Sequence, residues 1–266
     1  MSEFNPRNIR KTILQMAYAG STVHIGCAFS IVEILSVLYR NHLRYPENDP
    51  NSELRDYLVL SKGHGVMAQY ACLYEKGWLA KEDLEGYFSD GSKLKGLSDA
   101  RVIGCEVTSG SLGHGLSVGV GMALAAKLNR TDQWCYVIAG DGEMNEGTMW
   151  EAMLFAKHRA LDNLIVIVDE NGFQAMGKTE EVLHLGALPD KFTAFGFDTL
   201  SVDGHDEGEL DRAVNELKEK KDGTPKAIIA RTVKGKGVSF MENENAWHYT
   251  RLTEKTFEMA IAELEK

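Results

Sequence analysis

The sequence holds few cysteines and no pair of them in a C-x-x-C arrangement. Its four cysteines lie far apart in the 266 residues, at positions 27, 72, 105 and 135. This spacing argues against a disulfide framework and against a structural zinc site, and it is typical of proteins from a reducing compartment. We therefore expect a cytoplasmic protein.

Long apolar runs and an excess of positive charge are also lacking. No run of about 18 apolar residues is present, so the sequence predicts no membrane span. The N-terminal stretch MSEFNPRNIRK lacks the apolar core that signal peptides carry. Asp and Glu outnumber Lys and Arg by 39 to 29, a formal charge of −10, which disfavours nucleic acid and anionic membrane surfaces as partners.

The sequence contains no repeats, low-complexity segments or Ser/Pro-rich linkers. With 44% hydrophobic residues, the chain is long enough to form the core of one large α/β domain. We expect residues 1–266 to be that single domain.

The stretch from 134 to 171 carries the strongest structural pattern. It opens with an apolar run typical of a buried strand, Trp134 to Ala139, which stops at Gly140-Asp141-Gly142. A helical segment follows, and a second apolar run covers Leu164 to Val168. The predicted apolar face of the helix consists of Met149, Ala152, Met153 and Ala156. Such a strand–helix–strand unit makes neighbouring parallel strands.

Asp141 and Asn171 directly follow these two predicted strands. Because the carboxyl ends of parallel strands share one edge of the sheet, where open α/β folds hold ligands, we expect both side chains there. A carboxylate and an amide carbonyl are oxygen ligands that suit a hard cation such as Mg²⁺. The glycines beside Asp141 let the backbone approach an anion, and the next helix offers its N-terminal amides. The pattern predicts a site for a metal-bridged diphosphate.

Three motifs resemble those of the transketolase family and stand in the family's order. They are GDGEMNEG…NLIVIVDEN from 140 to 171, SKGHG at 61–65 and TSGSLGHG at 108–115. The resemblance covers nearly the whole chain. It implies a three-layer α/β thiamine-diphosphate-binding fold, with a mainly parallel sheet between helices on both faces. It also implies thiamine diphosphate as cofactor, held through Mg²⁺ or Ca²⁺.

The resemblance assigns the metal and the diphosphate to particular residues. The side chains of Asp141 and Asn171 and the backbone carbonyl of Phe173 would hold the metal. The diphosphate would be bound by the side chain of His64 and by the backbone of Gly140 and Gly142.

The remaining cofactor and substrate contacts are implied in the same way. The backbone at Gly110 and Leu112 would meet the aminopyrimidine ring. His24 would contact substrate and thiamine and His248 would contact thiamine, and both would handle protons or hydroxyls near its C2 carbon. A neutral imidazole with a pKa near 6.5 can do both tasks. Glu146 would lie at the subunit interface between two thiamine sites.

The local sequence leaves a structural alternative for several of these residues. His24 could be a turn histidine that caps a helix, and His64 a glycine-flanked histidine in a tight turn. The glycines between 110 and 121 could serve helix packing. Glu146 could be an acidic residue favoured by a helix N-terminus. The KGKG run at 234–237 could be a solvated turn, and it does not match a phosphate-binding P-loop.

The chain departs from the family pattern at two places near the substrate. Transketolases usually carry Gly-His-Pro where this chain has Gly96-Leu97-Ser98, and the family histidine touches sugar hydroxyls. The leucine side chain cannot form that hydrogen bond. The second departure is Tyr249-Thr250-Arg251, which follows His248 in place of the usual glycine and lysine.

The resemblance also implies that part of the enzyme is missing from this chain. In the family, a glutamate of a neighbouring pyrimidine-binding domain activates the cofactor, and that domain would follow residue 266. We therefore expect the N-terminal subunit of a split transketolase. Its partner would carry the pyrimidine-binding and C-terminal domains, the pair would assemble as α2β2, and the substrates would be sugar phosphates.

Three alternatives to ordinary ketol transfer remain open at this stage. The chain could be the α subunit of a 2-oxo-acid dehydrogenase, or a degenerate thiamine-binding scaffold. It could also act on a modified sugar or a biosynthetic acceptor, an idea that Leu97 motivates.

The sequence predicts further local elements around the motifs. Asn5 and Pro6 begin a helix that ends near Gly20. Ser30 and Glu33 form a capping box that opens a helix reaching about Leu43. Residues 174–192 are expected to be a loop that covers the cofactor.

Overall fold

A parallel five-stranded sheet forms the centre of the computed structural model, which describes residues 4–266 of the chain. The first three residues of the N-terminal stretch lie outside the described part. The strands are Tyr57–Leu60 (β1), Cys135–Gly140 (β2), Leu164–Glu170 (β3), Phe173–Gln174 (β4), Gly177–Lys178 (β5), Asp198–Asp203 (β6) and Lys226–Arg231 (β7). The sheet order is β1-β2-β3-β7-β6, and a two-stranded antiparallel hairpin, β4-β5, follows β3.

Helices cover both faces of the sheet. None of those within residues 4–266 is both long and apolar enough to cross a membrane. The α-helices are Pro6–Ala19 (α1), Ile25–Phe29 (α2), Val32–Val37 (α3), Val66–Glu75 (α4), Lys81–Glu85 (α5), Gly115–Leu128 (α6), Gly147–His158 (α7), Thr179–Leu183 (α8), Leu188–Ala194 (α9), Glu207–Glu219 (α10) and Glu254–Leu264 (α11).

Side chains of β2 alternate between two separate hydrophobic cores. Tyr136 and Ile138 belong to the core that contains residues of α1 to α4, α10 and α11. Cys135, Val137 and Ala139 belong to the core on the other face, with residues of α6, α7 and α9. Because successive strand residues point to opposite faces, one strand contributes to both layers. The predicted three-layer α/β architecture is confirmed.

The strand–helix–strand unit is present as predicted, with small shifts at its ends. β2 begins one residue later than expected and includes Gly140, while β3 extends to Glu170. β2 and β3 pair in parallel, with Gly140 opposite Asp169. The buried residues of α7 are the four predicted from helical spacing, Met149, Ala152, Met153 and Ala156.

The predicted capping box at Ser30 and Glu33 is wrong. The chain forms two short helices there, α2 and α3, followed by a π-helical turn at Leu38–His42. Ser30 Oγ donates to the Cys27 carbonyl and to Asp169 Oδ2, and Glu33 pairs with Arg10. Because both side chains bind these partners, neither of them caps the N-terminus of α3.

The predicted loop at 174–192 contains regular structure. It includes the end of the β4–β5 hairpin, α8 and part of α9.

At the N-terminus of the chain, the prediction of a helix from Asn5 is confirmed. Asn5 caps α1 by accepting a hydrogen bond from the Asn8 amide, and α1 ends before Gly20.

Candidate active site

A cavity of about 360 Å³ lies beyond the carboxyl ends of β2 and β3. It contains most of the side chains and backbone segments that the sequence singled out. The predicted residues that line it are His24, His64, Gly110, Leu112, Gly140, Asp141, Gly142, Asn171, Phe173 and His248. The fold therefore brings residues from widely separated parts of the chain to one place.

Asp141 is a buried carboxylate that connects the ends of the two strands. Its Oδ1 accepts from the Gly142 amide at 2.7 Å, and its Oδ2 accepts from the Gly172 amide at 2.7 Å and from Thr179 Oγ1 at 3.1 Å. Burial, followed by the charge of Asp169, raises the pKa of Asp141 to about 6. A carboxylate whose charge is disfavoured in this way would be stabilised by a bound cation.

The amide of Asn171 is oriented by hydrogen bonds on both of its ends. Its Nδ2 donates to Asp169 Oδ2 at 2.8 Å, so the nitrogen is committed to that side. Its Oδ1 accepts from the Phe173 amide at 3.0 Å. With Asp141, this set offers carboxylate, amide and backbone oxygens, the donor chemistry of a hard cation, so the residues fit Mg²⁺ or Ca²⁺.

A buried ion pair between Lys62 and Asp169 supports this region. Lys62 Nζ also donates to the Cys27 carbonyl at 3.1 Å, and Thr232 Oγ1 donates to Asp169 Oδ1. Burial alone would raise the pKa of Asp169, but Lys62 reverses the direction and lowers it. Sequence reasoning missed this pair. Lys62 is part of the SKGHG motif, but its partner Asp169 is 107 positions away in the chain.

Three imidazoles face one another in the cavity. The ring centroids of His24 and His64 are 5.4 Å apart, those of His24 and His248 are 5.4 Å apart, and those of His64 and His248 are 5.5 Å apart. Burial lowers the pKa of all three rings, and the charges of Lys62 and Lys234 lower them further. The pKa of His248 falls to about 3.

These shifts change the expected chemistry of the histidines. The sequence argument assumed imidazoles with a pKa near 6.5, whereas burial and the nearby lysines lower the pKa of all three rings and favour their neutral form. A ring of low basicity donates and accepts hydrogen bonds without taking up a charge at physiological pH. The expectation of an ordinary imidazole pKa is therefore wrong for these rings.

Lys234 is fully buried beside His248, so the interpretation of the KGKG run as a solvated turn is wrong at this position. Its Nζ lies 2.8 Å from His248 Nδ1 and donates to Asn245 Oδ1 at 3.1 Å. It also lies 5.5 Å from the centre of the Phe173 ring. A charged amine in this position adds positive potential to the cavity that holds Asp141.

Glu143 is a second group that the sequence reasoning missed. Its Oε1 accepts from Ser61 Oγ at 2.5 Å and from the Gly113 amide at 2.8 Å, and its Oε2 accepts from the Gly140 amide at 3.2 Å. It thus connects the turn after β1, the segment before α6 and the end of β2.

Glu146, which the resemblance placed at a subunit interface, is exposed at the N-cap of α7. It lies outside the cavity lining.

Leu97 packs against the backbone at Gly110 on the cavity wall. A Cβ atom added to Gly110 would come within 2.7 Å of Leu97 Cδ1, so a side chain at position 110 would displace the leucine. Leu97 also lines an adjoining cavity of about 380 Å³, together with His24 and Tyr249. The two departures from the family pattern, at Leu97 and at Tyr249, therefore meet at the junction of the two cavities.

The segment that follows β3 has a cavity on its other side as well. This cavity of about 470 Å³ shares Asp141 and Phe173 with the site, and it is otherwise lined mainly by residues of 178–188. His24, His64 and His248 all lie in the smaller cavity, and none of the three lines the larger one.

Comparison with known proteins gives a consistent match. Residues 7–264 match the family model described as "Transketolase, thiamine diphosphate binding domain". The chain is 39% identical over 264 residues to an apulose-4-phosphate transketolase subunit of Phocaeicola vulgatus, covering 99% of this chain and 94% of that protein. It is 42% identical over 259 residues to the 6-deoxy-6-sulfo-D-fructose transketolase subunit of a Clostridium species, covering 97% and 94%.

A solved structure shares the whole architecture. The transketolase from Leishmania mexicana superposes with a TM-score of 0.92 at 32% identity, covering 100% of this chain. This chain spans 42% of that protein. The rest of the solved transketolase has no counterpart in the 266 residues.

Proposed function

The chain belongs to the transketolase family, and we propose that it is the diphosphate-binding subunit of a two-chain transketolase. In this proposal the enzyme transfers a two-carbon ketol unit from a ketose phosphate to an aldose phosphate. The observation that carries the proposal is the meeting of Asp141, Asn171 and three half-buried histidines around one cavity. The similarity to two relatives named as transketolase subunits supports the split arrangement.

We propose that Asp141, Asn171 and the Phe173 carbonyl hold Mg²⁺ or Ca²⁺, which in turn binds the diphosphate of thiamine diphosphate. The support is the oxygen donor set and the raised pKa of the buried Asp141 carboxyl. The backbone at Gly140 and Gly142 would approach the diphosphate. These two positions line the cavity on either side of Asp141.

We propose further contacts between this chain and the diphosphate and aminopyrimidine ends of the cofactor. His64 would donate a hydrogen bond to the diphosphate, and Lys62 and Lys234 would add positive potential around it. Gly110 and Leu112 would offer backbone to the aminopyrimidine ring. Glu146, which is exposed on this chain, would be covered at the contact between two thiamine sites.

Thiamine diphosphate, when bound, supplies an electron sink for cleaving and forming the carbon–carbon bond. The residues of this chain position and exchange protons around it. His24 and His248, kept neutral by burial and by Lys234, would donate hydrogen bonds to substrate hydroxyls and accept hydrogen bonds from them.

The partner would supply what this chain does not contain. We propose that residues 1–266 form one diphosphate-binding domain, and that a second polypeptide carries the pyrimidine-binding and C-terminal domains. The pair would assemble as α2β2, the two-fold arrangement common among oligomers. The interpretation as a 2-oxo-acid dehydrogenase α subunit is not favoured, because the family match is to transketolases.

The direct test is reconstitution of ketol transfer. The purified chain, the candidate partner and their mixture are each assayed with thiamine diphosphate and Mg²⁺, and activity is expected from the mixture only. Full activity of the lone chain would contradict the split arrangement. Release of CO₂ from pyruvate without ketol transfer would contradict the reaction class.

Variants of two histidines refine this test. In the reconstituted pair, His24→Ala is expected to lower turnover by about 100-fold or more, the usual contribution of a positioned proton donor or acceptor. His158→Ala, at the exposed end of α7, is the matched control and should leave turnover unchanged. Equal turnover rates for both variants would show that His24 takes no part in the reaction.

A further inference from the structure

Cys27, His64 and His248 bring one sulfur and two imidazole nitrogens to within 4.8 Å of one another. Cys27 Sγ lies 3.5 Å from His248 Nδ1. Tetrahedral zinc, with bonds of about 2.3 Å to sulfur and about 2.0 Å to nitrogen, places two such ligands ~3.5 Å apart. The 3.5 Å separation therefore matches a shared metal ion, and a ring nitrogen of His64, within 4.8 Å of both atoms, is the third donor.

This donor set differs in kind from the one at Asp141. Carboxylate, amide and backbone oxygens favour a hard cation such as Mg²⁺. A thiolate and two imidazoles favour softer divalent ions such as Zn²⁺. The same cavity thus contains two donor sets with opposite preferences, and Cys27 is the residue that creates the second.

The sulfur is held firmly in its position. Cys27 is 2% exposed, and its carbonyl accepts from Lys62 Nζ at 3.1 Å and from Ser30 Oγ at 3.2 Å. These contacts tie α2 to the buried pair of Lys62 and Asp169. The backbone that carries the sulfur therefore needs no rearrangement to bind a metal.

One contact must be released for the metal to bind. Lys234 Nζ lies 2.8 Å from His248 Nδ1, the nitrogen nearest to the sulfur. Lys234 keeps a partner when it withdraws, because Asn245 Oδ1 lies 3.1 Å away. The acidic groups of Asp141 and Asp169 in the same region offset part of the repulsion between the lysines and a divalent ion.

We propose that Cys27, His64 and His248 form an inhibitory site for a soft divalent cation such as Zn²⁺. On binding, the Cys27 thiol releases its proton to solvent as the sulfur–metal bond forms, the two imidazoles bind as neutral ligands, and solvent fills the fourth position. No group is oxidised or reduced. Because His64 and His248 are also proposed contacts of thiamine diphosphate, ion and cofactor exclude each other, and this exclusion rests on the proposed function.

Cobalt(II) tests the ligand set, because a thiolate bound to it gives a sulfur-to-metal charge-transfer band in the near ultraviolet. The full chain is titrated with Co²⁺ as wild type, as Cys27→Ser and as Cys105→Ser, the last being a buried cysteine away from the histidines. The band is expected in the wild type and in Cys105→Ser, and it should be lost in Cys27→Ser. Its absence from the wild type, or its persistence in Cys27→Ser, overturns the site.

Two further measurements separate the parts of the proposal. The circular dichroism of Cys27→Ser must match that of the wild type. If the fold of Cys27→Ser is disturbed, His248→Ala is used instead: it leaves the sulfur in place and should shift and weaken the band. Thiamine diphosphate with Mg²⁺ should abolish the band of the cobalt-loaded wild type. If the cofactor binds while the band persists, the exclusion is wrong. If thiamine diphosphate with Mg²⁺ does not bind to the cobalt-free protein, the proposed function fails while the cobalt result stands.

Discussion

Asp141 Oδ2 accepts a hydrogen bond from the Gly172 amide at 2.7 Å, and this contact joins the ends of two neighbouring parallel strands. The two residues are 31 positions apart in the chain. The contact places the carboxylate of the first strand end beside Asn171 at the second. The cavity, the histidines and the proposed metal all lie around this junction.

Replacing the buried Lys62 should lower the stability of the fold. Lys62→Met leaves the Asp169 carboxylate buried without its charged partner, and we expect it to lower the free energy of unfolding by about 3–5 kcal/mol in urea denaturation. Lys62→Met combined with Asp169→Asn should recover part of this loss. Lys11→Met, which breaks an exposed pair with Glu265, is the control and should cost at most about 1 kcal/mol. A small effect of Lys62→Met would show that the pair is not a structural requirement.

Glu33 should make stability depend on acid pH. Burial alone would raise the pKa of Glu33, but hydrogen bonds and charge from His205 and Arg10 lower it to about 2. Its contribution, about 3 kcal/mol, is therefore fully present above the unfolded pKa near 4.3 and is lost as pH falls towards 2.

The measurement for Glu33 compares wild type with Glu33→Gln. The difference between their free energies of unfolding should shrink as pH is lowered from about 5 to about 2. Glu207→Gln, from the more exposed pair with Arg40, should show little such dependence. A difference for Glu33→Gln that stays constant over this range would contradict the assigned pKa.

Lys234 should control the basicity of His248. Burial is the largest cause of the low pKa of His248, and Lys234 is the second. Lys234→Met removes the charge and keeps much of the side-chain volume, so the pKa of His248 should rise from about 3 towards its ordinary value. The ring resonances of His248, followed by NMR against pH, report this change. An unchanged titration would mean that the lysine does not act on the ring electrostatically.

Leu97 should lower kcat/KM for sugar phosphates that present a hydroxyl group to the side chain at position 97. Leu97→His is expected to raise kcat/KM of the reconstituted enzyme for xylulose 5-phosphate by about tenfold, the effect of one hydrogen bond worth about 1.4 kcal/mol. Leu97→Met, which adds no donor, is the matched control. Equal kcat/KM values for the two variants would show that position 97 does not contact the sugar.

The sequence predicted the elements whose pattern is local. β2, α7 and β3 were found because their apolar runs and helical spacing are contained within 38 residues, and adjacent parallel strands then bring Asp141 near Asn171. The capping box failed because Ser30 bonds to Asp169, which is 139 positions away. The burial of Lys62 and Lys234 could not be predicted, because the local sequence around a lysine is the same whether solvent or a distant partner surrounds its side chain. Their partners become visible only in the folded chain.

The most direct measurement is calorimetric titration of the chain with thiamine diphosphate in the presence and absence of Mg²⁺. Binding is expected with the metal and should be lost without it. Asp141→Ala should abolish the metal-dependent binding, while Asp49→Ala, an exposed loop carboxylate, should bind as the wild type does. Metal-dependent binding that survives in Asp141→Ala, or none in the wild type, would contradict the assignment of this cavity.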